Sequence, residues 1–176
     1  MTGEVLLLAG PAGAGKSTLA RLWCATRRTA AHVQLDSVNE LIVQGRVDPR
    51  EVEHPEQAGQ RAASVDATCA LVRSFAASGI DVAVDDFLAP GDAESEWLPR
   101  LDGLSMRLVV LLPSLDACLA RAGCRGKEVP VHLIRAHHEA SRSWEAARCL
   151  DTTGQSPEQS LADLLALAAH PTSRWP

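Results

Sequence analysis

The sequence predicts an α/β fold with a parallel sheet, and three observations support this prediction. Short apolar runs alternate with longer stretches that carry apolar residues at helical spacing. A glycine-rich turn follows the first apolar run, and carboxylates follow the second and the third. Because parallel strands are joined by helical crossovers, such alternation is typical of a sheet covered by helices.

The first half of the chain contains three predicted strands. Residues 5–8 form a continuous apolar run, which predicts a strand that is buried on both faces. Residues 17–28 predict a helix, and residues 31–35 predict a second strand that ends at Asp36. The third strand starts at Asp81 and closes on a pair of carboxylates.

A long helix is predicted before the third strand. Its apolar residues step by four and three, which places them on one stripe. They are Ala58, Ala62, Val65, Cys69, Val72 and Ala76. Gly79 is positioned to end this helix as a C-cap.

The second half continues the alternation of strands and helices. Residues 106–112 predict the strongest strand, and residues 148–151 predict a short fifth strand. Ser114 is expected to cap one helix, Pro130 to start another that runs to about Trp144, and Ser156 to precede the last helix. The last helix carries an apolar stripe of Leu161, Leu164, Leu165 and Ala168. Because there are no repeats or linkers, we expect residues 1–176 to form a single domain.

Composition narrows the function classes. A net charge of −5 disfavours a broad surface for duplex nucleic acid. The five cysteines are odd in number and lack C-x-x-C spacing, so they suggest neither a disulfide framework nor a zinc site. No segment has the features of a signal peptide or reaches transmembrane length, so we expect a reduced, cytoplasmic protein without a membrane partner.

The turn after the first strand matches a phosphate-binding motif. Gly10, Gly15, Lys16 and Ser17 fit G-x-x-x-x-G-K-[ST] in full, whereas the dinucleotide fingerprint fails because Thr18 occupies its third glycine position. We expect Lys16 to reach the β- and γ-phosphates of ATP and Ser17 to bind Mg²⁺. The residues expected to contact the nucleotide here are Gly10, Ala12, Gly13, Ala14, Gly15, Lys16, Ser17 and Thr18.

Three carboxylates follow predicted strands, at the edge where α/β sheets bind ligands. We expect Asp85 to hold Mg²⁺, while the alternative is an N-cap at a surface turn. Asp86 is a candidate for substrate contact. Asp36 is either the carboxylate that accepts a proton from an attacking hydroxyl or the N-cap of the next helix, and the residue alone does not decide between these roles.

Two arginines lie four residues apart on one predicted helix face. Arg121 and Arg125 are candidates for a mobile lid that neutralises the transferring phosphoryl group, and the alternative is a solvated basic face. Arg135, on the next helix, is a weaker candidate for the same task.

Taken together, these segments resemble the small AAA-type P-loop kinases, which include gluconate-kinase-like, chloramphenicol-phosphotransferase-like and zeta-toxin-like enzymes and the kinase part of polynucleotide kinases. The resemblance rests on "GPAGAGKST", "LDSVNEL", "VAVDDF", "LLPSLDACLARAGCRGKEVP" and "LDTTGQSPEQSL". It implies a five-stranded parallel sheet with helices on both faces and a helical lid. It also favours Asp36 as the catalytic carboxylate and places Thr153 in the loop that borders the adenine.

The leading hypothesis is an ATP- and Mg²⁺-dependent phosphotransferase acting on a hydroxyl group of a small molecule, with Lys16, Asp36, Arg121 and Arg125 as catalytic residues. Residues 45–60 are expected to line the acceptor pocket. Many relatives carry an arginine soon after the second-strand aspartate, and its absence here leaves the charge of the acceptor open. The alternatives are a polynucleotide 5′-kinase and a regulatory ATPase; nucleic acid is not the expected partner, and the protein is expected to be a monomer or a homodimer.

Overall fold

The computed structural model describes residues 2–48, 53–123 and 129–169. Five parallel strands form one sheet: β1 (Val5–Ala9), β2 (Ala30–Gln34), β3 (Asp81–Asp85), β4 (Met106–Leu111) and β5 (Cys149–Leu150). Their order across the sheet is β2-β3-β1-β4-β5. The α/β class and the five-stranded parallel sheet are therefore confirmed.

The connections between the strands are mostly helical. The helices are α1 (Lys16–Ala25), α2 (Leu35–Asn39), α3 (Gln57–Ala77), α4 (Pro90–Asp92), α5 (Leu98–Leu101), α6 (Leu115–Gly123), α7 (Val131–Ser141) and α8 (Pro157–Ala169). A π-helical turn, Ala93–Trp97, joins α4 to α5, and a 3₁₀ turn, Ala146–Arg148, precedes β5.

The central strand β1 divides the core into two layers, because successive side chains of a strand point to opposite faces. Val5, Leu7 and Ala9 pack in the layer that contains α3. Leu6 and Leu8 pack in the layer that contains α1 and α8. All five residues of β1 are buried, which is why this segment reads as an uninterrupted apolar run.

Helix α3 buries only part of its predicted stripe. Val65, Cys69, Val72 and Ala76 are buried, but Ala58 and Ala62 are exposed. The first turns extend past the edge of the sheet, so their inner face borders a cavity and carries polar side chains instead. Gly79 has φ +75° just after the C-cap residue Ser78, as predicted for a glycine that ends the helix.

The region around Asp36 differs from the prediction. Strand β2 ends at Gln34, and Asp36 lies in the first turn of α2 rather than at the end of the strand. The N-cap of α2 is Gln34, so the N-cap interpretation of Asp36 is wrong. Asp36 nevertheless stays at the carboxyl end of the sheet, because α2 follows β2 directly.

The later helices begin as predicted. The Ser114 hydroxyl accepts a hydrogen bond from the Ala117 amide at 3.3 Å. Ser156 and Gln159 form a reciprocal capping box, since each side chain accepts a hydrogen bond from the other residue's amide. The predicted ends are less accurate: α7 stops at Ser141 rather than near Trp144, and Leu165 is exposed rather than part of the buried stripe of α8.

A group of four charged residues, which we call the amino-end cluster, closes the sheet at the start of its strands. It comprises Glu4, Arg27, Asp81 and Arg107. The Arg27 guanidinium lies 3.1 Å from the Glu4 carboxylate and 4.2 Å from the centre of the Trp23 ring. The Glu4 amide donates to Asp81 at 2.8 Å. These charges are therefore paired with one another.

Two composition-based expectations concern thiols and membranes. The four cysteines in the described part of the chain, Cys24, Cys69, Cys118 and Cys149, carry free thiols. Within that same part, none of the helices combines the length and the apolar character needed to cross a bilayer.

Candidate active site

The phosphate loop connects β1 to α1 and depends on glycine for two different reasons. A Cβ at Gly10 would lie 2.3 Å from the Leu111 carbonyl oxygen, and one at Gly13 would lie 2.2 Å from the Cys118 carbonyl oxygen. These two glycines are needed for close backbone packing. Gly15 has φ +101° and nothing within 4 Å of its would-be Cβ, so it leaves open space in front of the helix.

Lys16 is the first residue of α1, and its side chain curls over the phosphate loop. Its Nζ donates to the carbonyl oxygens of Gly10 and Pro11 at 2.9 and 3.0 Å. The amide groups of the first turn of α1 point to the same region, and the positive end of the helix dipole adds to the lysine charge. This arrangement suits a bound anion such as a nucleotide phosphate.

Asp85 and Asp86 are adjacent in sequence but face opposite sides of the sheet, because side chains alternate along a strand. Asp85 points toward α1, where its Oδ2 accepts a hydrogen bond from Ser17 Oγ at 2.6 Å. Asp86 points toward α3, where its Oδ2 accepts from Arg61 Nη2 at 3.0 Å. Two neighbouring carboxylates thus enter two different environments.

The Asp85 carboxylate is held at both oxygens. While Ser17 binds one, His32 Nε2 lies 2.9 Å from Oδ1, so this ring nitrogen carries the shared hydrogen. Burial raises the pKa of Asp85, but the hydrogen bonds from His32 and Ser17 outweigh burial and bring the pKa below its usual value. Asp85 is therefore ionised at neutral pH.

Asp86 belongs to a second group of charges. Arg61, on α3, binds both Asp86 and Glu96, with Nη2 2.9 Å from Glu96 Oε2. Burial raises the pKa of Asp86 to about 6, although the Arg61 guanidinium opposes this increase. We call these three residues the Arg61 bridge, and its net charge is negative because one guanidinium faces two carboxylates.

Two rings stack where Phe87, the residue after Asp86, meets the middle of α7. The rings of Phe87 and His137 are nearly parallel, with centroids 3.7 Å apart. Burial lowers the pKa of His137, and the nearby charge of Lys16 lowers it further. His137 Nδ1 is buried and makes no hydrogen bond within the part of the chain that the structure describes.

A cavity of about 560 Å³ connects these groups at the carboxyl ends of the strands. One end is the phosphate loop, with Lys16, Ser17 and Asp85. The opposite wall belongs to α2, α3 and the segment between them. The residues of this wall include Asp36, Asn39, Glu40, Arg46, Val47, Asp48, Gln57, Gln60, Arg61 and Ser64. Residues 45–60 therefore contribute to the cavity, as the sequence predicted.

Two residues predicted for the lid and the adenine loop, Arg121 and Thr153, lie outside the cavity. Arg121 binds the outside of the phosphate loop, where it donates to the Ala14 carbonyl at 3.4 Å and to the Thr152 carbonyl at 2.7 Å. It is not among the residues that line the cavity. Thr153 accepts a hydrogen bond from the Ser114 amide at 2.7 Å and likewise stays outside the cavity. Arg125 lies outside the described residues.

The remaining predicted residues lie partly in the cavity wall and partly outside it. Gly10, Ala14 and Thr18 belong to the loop and the first turn of α1 without lining the cavity. Ala12, Gly13 and Gly15 line it. Arg135 lies on the exposed side of α7.

The residues at the phosphate loop fit a magnesium ion. Ser17 Oγ and Asp85 Oδ2 place two hard oxygen atoms 2.6 Å apart beside the loop. Magnesium prefers oxygen ligands and is commonly held by one or two side chains together with substrate phosphates. In keeping with such shared coordination, no group of three or more His, Cys, Asp or Glu side chains in the described ranges can hold a metal ion alone.

Sequence reasoning missed three residues of this site. His32 lies 53 positions from Asp85, and Arg61 lies 25 positions from Asp86, so no local motif links either pair. No role was predicted for His137, although its ring stacks on Phe87. The signal that was available is the polar character of the first turns of α3, which contradicts a continuous buried stripe.

Comparison with known proteins extends these observations. A family model described as "AAA domain" matches residues 5–147, most of the chain. No curated protein sequence matches the chain at a significant level.

Three solved structures have a similar fold over nearly the full length of both chains. The tunicamycin resistance protein of Deinococcus radiodurans has a TM-score of 0.72 at 16% identity, covering 99% of each chain. A sugar kinase from Janibacter sp. HTCC2649 has a TM-score of 0.67 at 17% identity, covering 97% of this chain and 100% of its own. A gluconokinase from Sinorhizobium meliloti 1021 has a TM-score of 0.65 at 18% identity, covering 96% and 92%. The TM-scores show a shared fold, and at identities this low the fold is all that the similarity shows.

Proposed function

The chain belongs to the AAA domain family, and on that premise we propose that it is an ATP- and Mg²⁺-dependent phosphotransferase that moves the γ-phosphoryl group of ATP to a hydroxyl group of a small molecule. The structural relatives that are named as kinases support phosphotransfer as the type of reaction. The hydroxyl acceptor and the roles of individual residues are our proposal.

One observation carries this proposal: the cavity continues from the phosphate loop to the polar wall formed by α2 and α3. A volume of about 560 Å³ is within the range of small-molecule sites. An acceptor that enters beside the phosphate loop would meet carboxylates on the opposite wall. A regulatory ATPase needs only water as the acceptor and has no use for such a compartment.

The phosphate end positions the nucleotide. Lys16 exchanges its contacts with the loop carbonyls for the β- and γ-phosphates, and the loop amides surround the same anion. Ser17 and Asp85 would hold Mg²⁺, which would neutralise phosphate charge when bound. His32 keeps Asp85 turned toward Ser17.

At the acceptor end, Asp36 orients the hydroxyl group and accepts its proton while the oxygen bonds to the γ-phosphorus. The bond between that phosphorus and the β–γ bridging oxygen breaks, and ADP leaves. Asp36 lines the cavity from the first turn of α2 and is exposed to it, which is consistent with contact to a diffusing substrate.

Arg121 serves as the lid residue in this proposal. Its guanidinium already contacts the Ala14 carbonyl in the phosphate loop, so a short movement of α6 would bring it to the phosphates. Arg125 is proposed for the same role from the sequence alone. Thr153 is proposed to border the adenine, next to the Thr152 carbonyl that Arg121 now binds.

The proposal also covers the domain organisation, the location and the partners of the protein. We propose that residues 1–176 form one domain that works in the cytoplasm as a monomer or a homodimer, with a small-molecule acceptor rather than nucleic acid. The net charge of −5 supports the last point, because polynucleotide acceptors are strongly anionic.

The test is ATP consumption by the purified protein with Mg²⁺, alone and with a panel of hydroxyl compounds, followed by mass spectrometry of the products. We expect at least one compound to be phosphorylated and to raise ATP turnover. Asp36→Asn should remove this stimulation while ATP still binds. Asp66→Asn is the matched control, because Asp66 is an exposed aspartate that pairs with Arg100 away from the cavity.

The contrasting outcome is equally clear. If ATP is hydrolysed at the same rate with every compound and Asp36→Asn has no effect, the phosphotransferase proposal is wrong. The regulatory ATPase then becomes the better description, because bound nucleotide would be turned over to water alone.

A further inference from the structure

The acceptor end of the cavity carries more negative than positive charge. Lys16 and Asp85 belong to the phosphate end, so they are set aside. Five carboxylates remain among the lining residues: Asp36, Glu40, Asp48, Asp86 and Asp92. Against them stand two arginines, Arg46 and Arg61. This count of charges includes each charged side chain that lines the acceptor end, whatever its partners.

Arg61 is the arginine that reaches the wall of the cavity from α3, and two carboxylates contact it. Its Nε and Nη2 both contact Glu96, and Nη2 also contacts Asp86. An anionic ligand that approached this guanidinium would also approach the carboxylates of Asp86 and Glu96. Arg46, Asp36 and Glu40 are exposed, so solvent screens their charges alike. Among the less exposed residues at the acceptor end, Asp48, Asp86 and Asp92 outnumber Arg61.

His137 adds no positive charge at neutral pH. Burial and the neighbouring Lys16 both lower its pKa, so the imidazole is uncharged. Its buried Nδ1 makes no hydrogen bond to the described residues and therefore offers a neutral polar contact to a ligand. Phe87, stacked on the same ring, adds an apolar surface.

From this distribution we infer that the acceptor is a neutral or amine-bearing hydroxyl compound and that the pocket rejects acceptors with a carboxylate, sulfate or phosphate group. This inference rests on the proposed function, because it describes the acceptor of the same reaction. Carboxylate oxygens bind hydroxyl and ammonium donors directly, whereas they repel a second anion within a few ångströms.

The residues outside the described ranges do not reverse the balance. Residues 49–52 contain one arginine and one glutamate, residues 124–128 contain one arginine, one lysine and one glutamate, and residues 170–176 contain one arginine. Together they contribute two net positive charges, which is fewer than the excess of three carboxylates over arginines among the lining residues.

The inference is tested with three acceptors that share one carbon scaffold. Glucose is neutral, glucosamine carries an ammonium group and gluconate carries a carboxylate. Uridine and uridine 5′-monophosphate form a second pair. With ATP and Mg²⁺ held constant, we expect the neutral or amine-bearing member of a series to exceed its anionic partner in kcat/KM by about tenfold or more. An anionic member that is phosphorylated equally well or better overturns the inference and leaves the phosphotransferase proposal intact.

A second measurement decides the inference even if none of these compounds is an acceptor. Amino- and carboxy-substituted nitroxides of the same shape are added to ¹⁵N-labelled protein, and the relaxation of each backbone amide is recorded. We expect the cationic probe to relax the amides of Asn39 and Phe87 several-fold more than the anionic probe. Equal relaxation, or stronger relaxation by the anionic probe, overturns the inference.

Asp92→Asn sharpens the result, because it removes one lining carboxylate outside the proposed catalytic residues. It should reduce the preference for the cationic probe at Phe87, whereas Asp66→Asn should not. If the probes show the expected preference but no compound in the wider panel is phosphorylated, the proposed function fails and the charge of the cavity stands.

Discussion

Strand β3 has carboxylates at both ends, and these ends behave differently. At its start, Asp81 joins Glu4, Arg27 and Arg107 in the amino-end cluster, whose charges pair with one another. At its end, Asp85 and the following Asp86 line a cavity. The residue types are the same, but only the second group faces a space that a ligand can enter.

The difference follows from how parallel sheets are connected. The carboxyl ends of the strands meet the N-termini of the following helices, so backbone amides and their dipoles converge there. The strand starts receive the ends of helices and have no comparable focus of positive potential. The amino-end cluster should therefore contribute to stability, and the carboxyl-end residues should contribute to activity.

The largest effect that tests this contrast comes from replacing one cation at each end of the sheet, Lys16 and Arg27. Lys16→Ala should lower phosphoryl transfer by about 10³-fold, because it removes the side chain that is proposed to neutralise the transferred group. Arg27→Ala should leave turnover within about twofold and lower the free energy of unfolding by about 1 kcal/mol. Turnover assays and urea unfolding of both variants provide the measurement. A comparable loss of activity in Arg27→Ala would contradict the division.

The two ends of β3 itself provide the next test. Asp85→Asn should reduce turnover by about 10²-fold and raise the Mg²⁺ concentration needed for half-maximal rate, because an amide oxygen is a weaker magnesium ligand. Asp81→Asn, at the other end of the same strand, should change neither quantity. The rate is measured as a function of Mg²⁺ for both variants. Identical Mg²⁺ curves for Asp85→Asn and the unmodified protein would rule out the metal role.

A smaller effect separates an ion pair that has a buried carboxylate, Asp86, from one whose carboxylate, Glu4, is partly exposed. Arg61→Met should lower the free energy of unfolding by about 2–4 kcal/mol at pH 7, because Asp86 would be left buried without its partner. Arg107→Met should cost only about 0.5–1 kcal/mol, since its pair with Glu4 is partly exposed. Urea unfolding at one pH compares the two. Equal losses of unfolding free energy in the two variants would show that the burial of Asp86 does not make its partner Arg61 more important for stability than Arg107.

The smallest effect is a pH dependence of stability. The pKa of Asp86 is about 6 in the folded protein and is raised from 3.8, so the protonated carboxyl is the form that folding favours. The stabilisation that comes from protonating Asp86 is fully present below about pH 4 and is lost as the pH rises through about 6. The free energy of unfolding should fall by on the order of 1–3 kcal/mol over this range. Unfolding free energies from pH 4 to 7 should show this fall in the unmodified protein and in Asp81→Asn. Asp86→Asn should lack it.

The sequence predicted the phosphate end of the site well because its signal is local. The glycines, Lys16 and Ser17 are contiguous, and a strand and a helix flank them. The resemblance to small P-loop kinases is confirmed by the family match and by the shared fold. The roles of Lys16 and Ser17 in phosphate and metal binding stay predictions.

The acceptor end was not predictable in the same way, because its contacts join distant positions. No sequence motif singles out Arg61, and only the packing of α3 against β3 brings it to Asp86. Asp36 was placed at a strand end, but the chain turns into α2 one residue after Gln34. Both differences arise from tertiary packing, to which local propensity is insensitive.

The opposite orientations of Asp85 and Asp86 have a consequence for how such a protein can diversify. Under the proposed function, substitutions on the α3 side of the sheet would alter the acceptor compartment without changing the residues proposed to bind the nucleotide. New acceptors could then be accommodated while the phosphoryl donor stays the same. Two adjacent residues would thus answer to separate constraints.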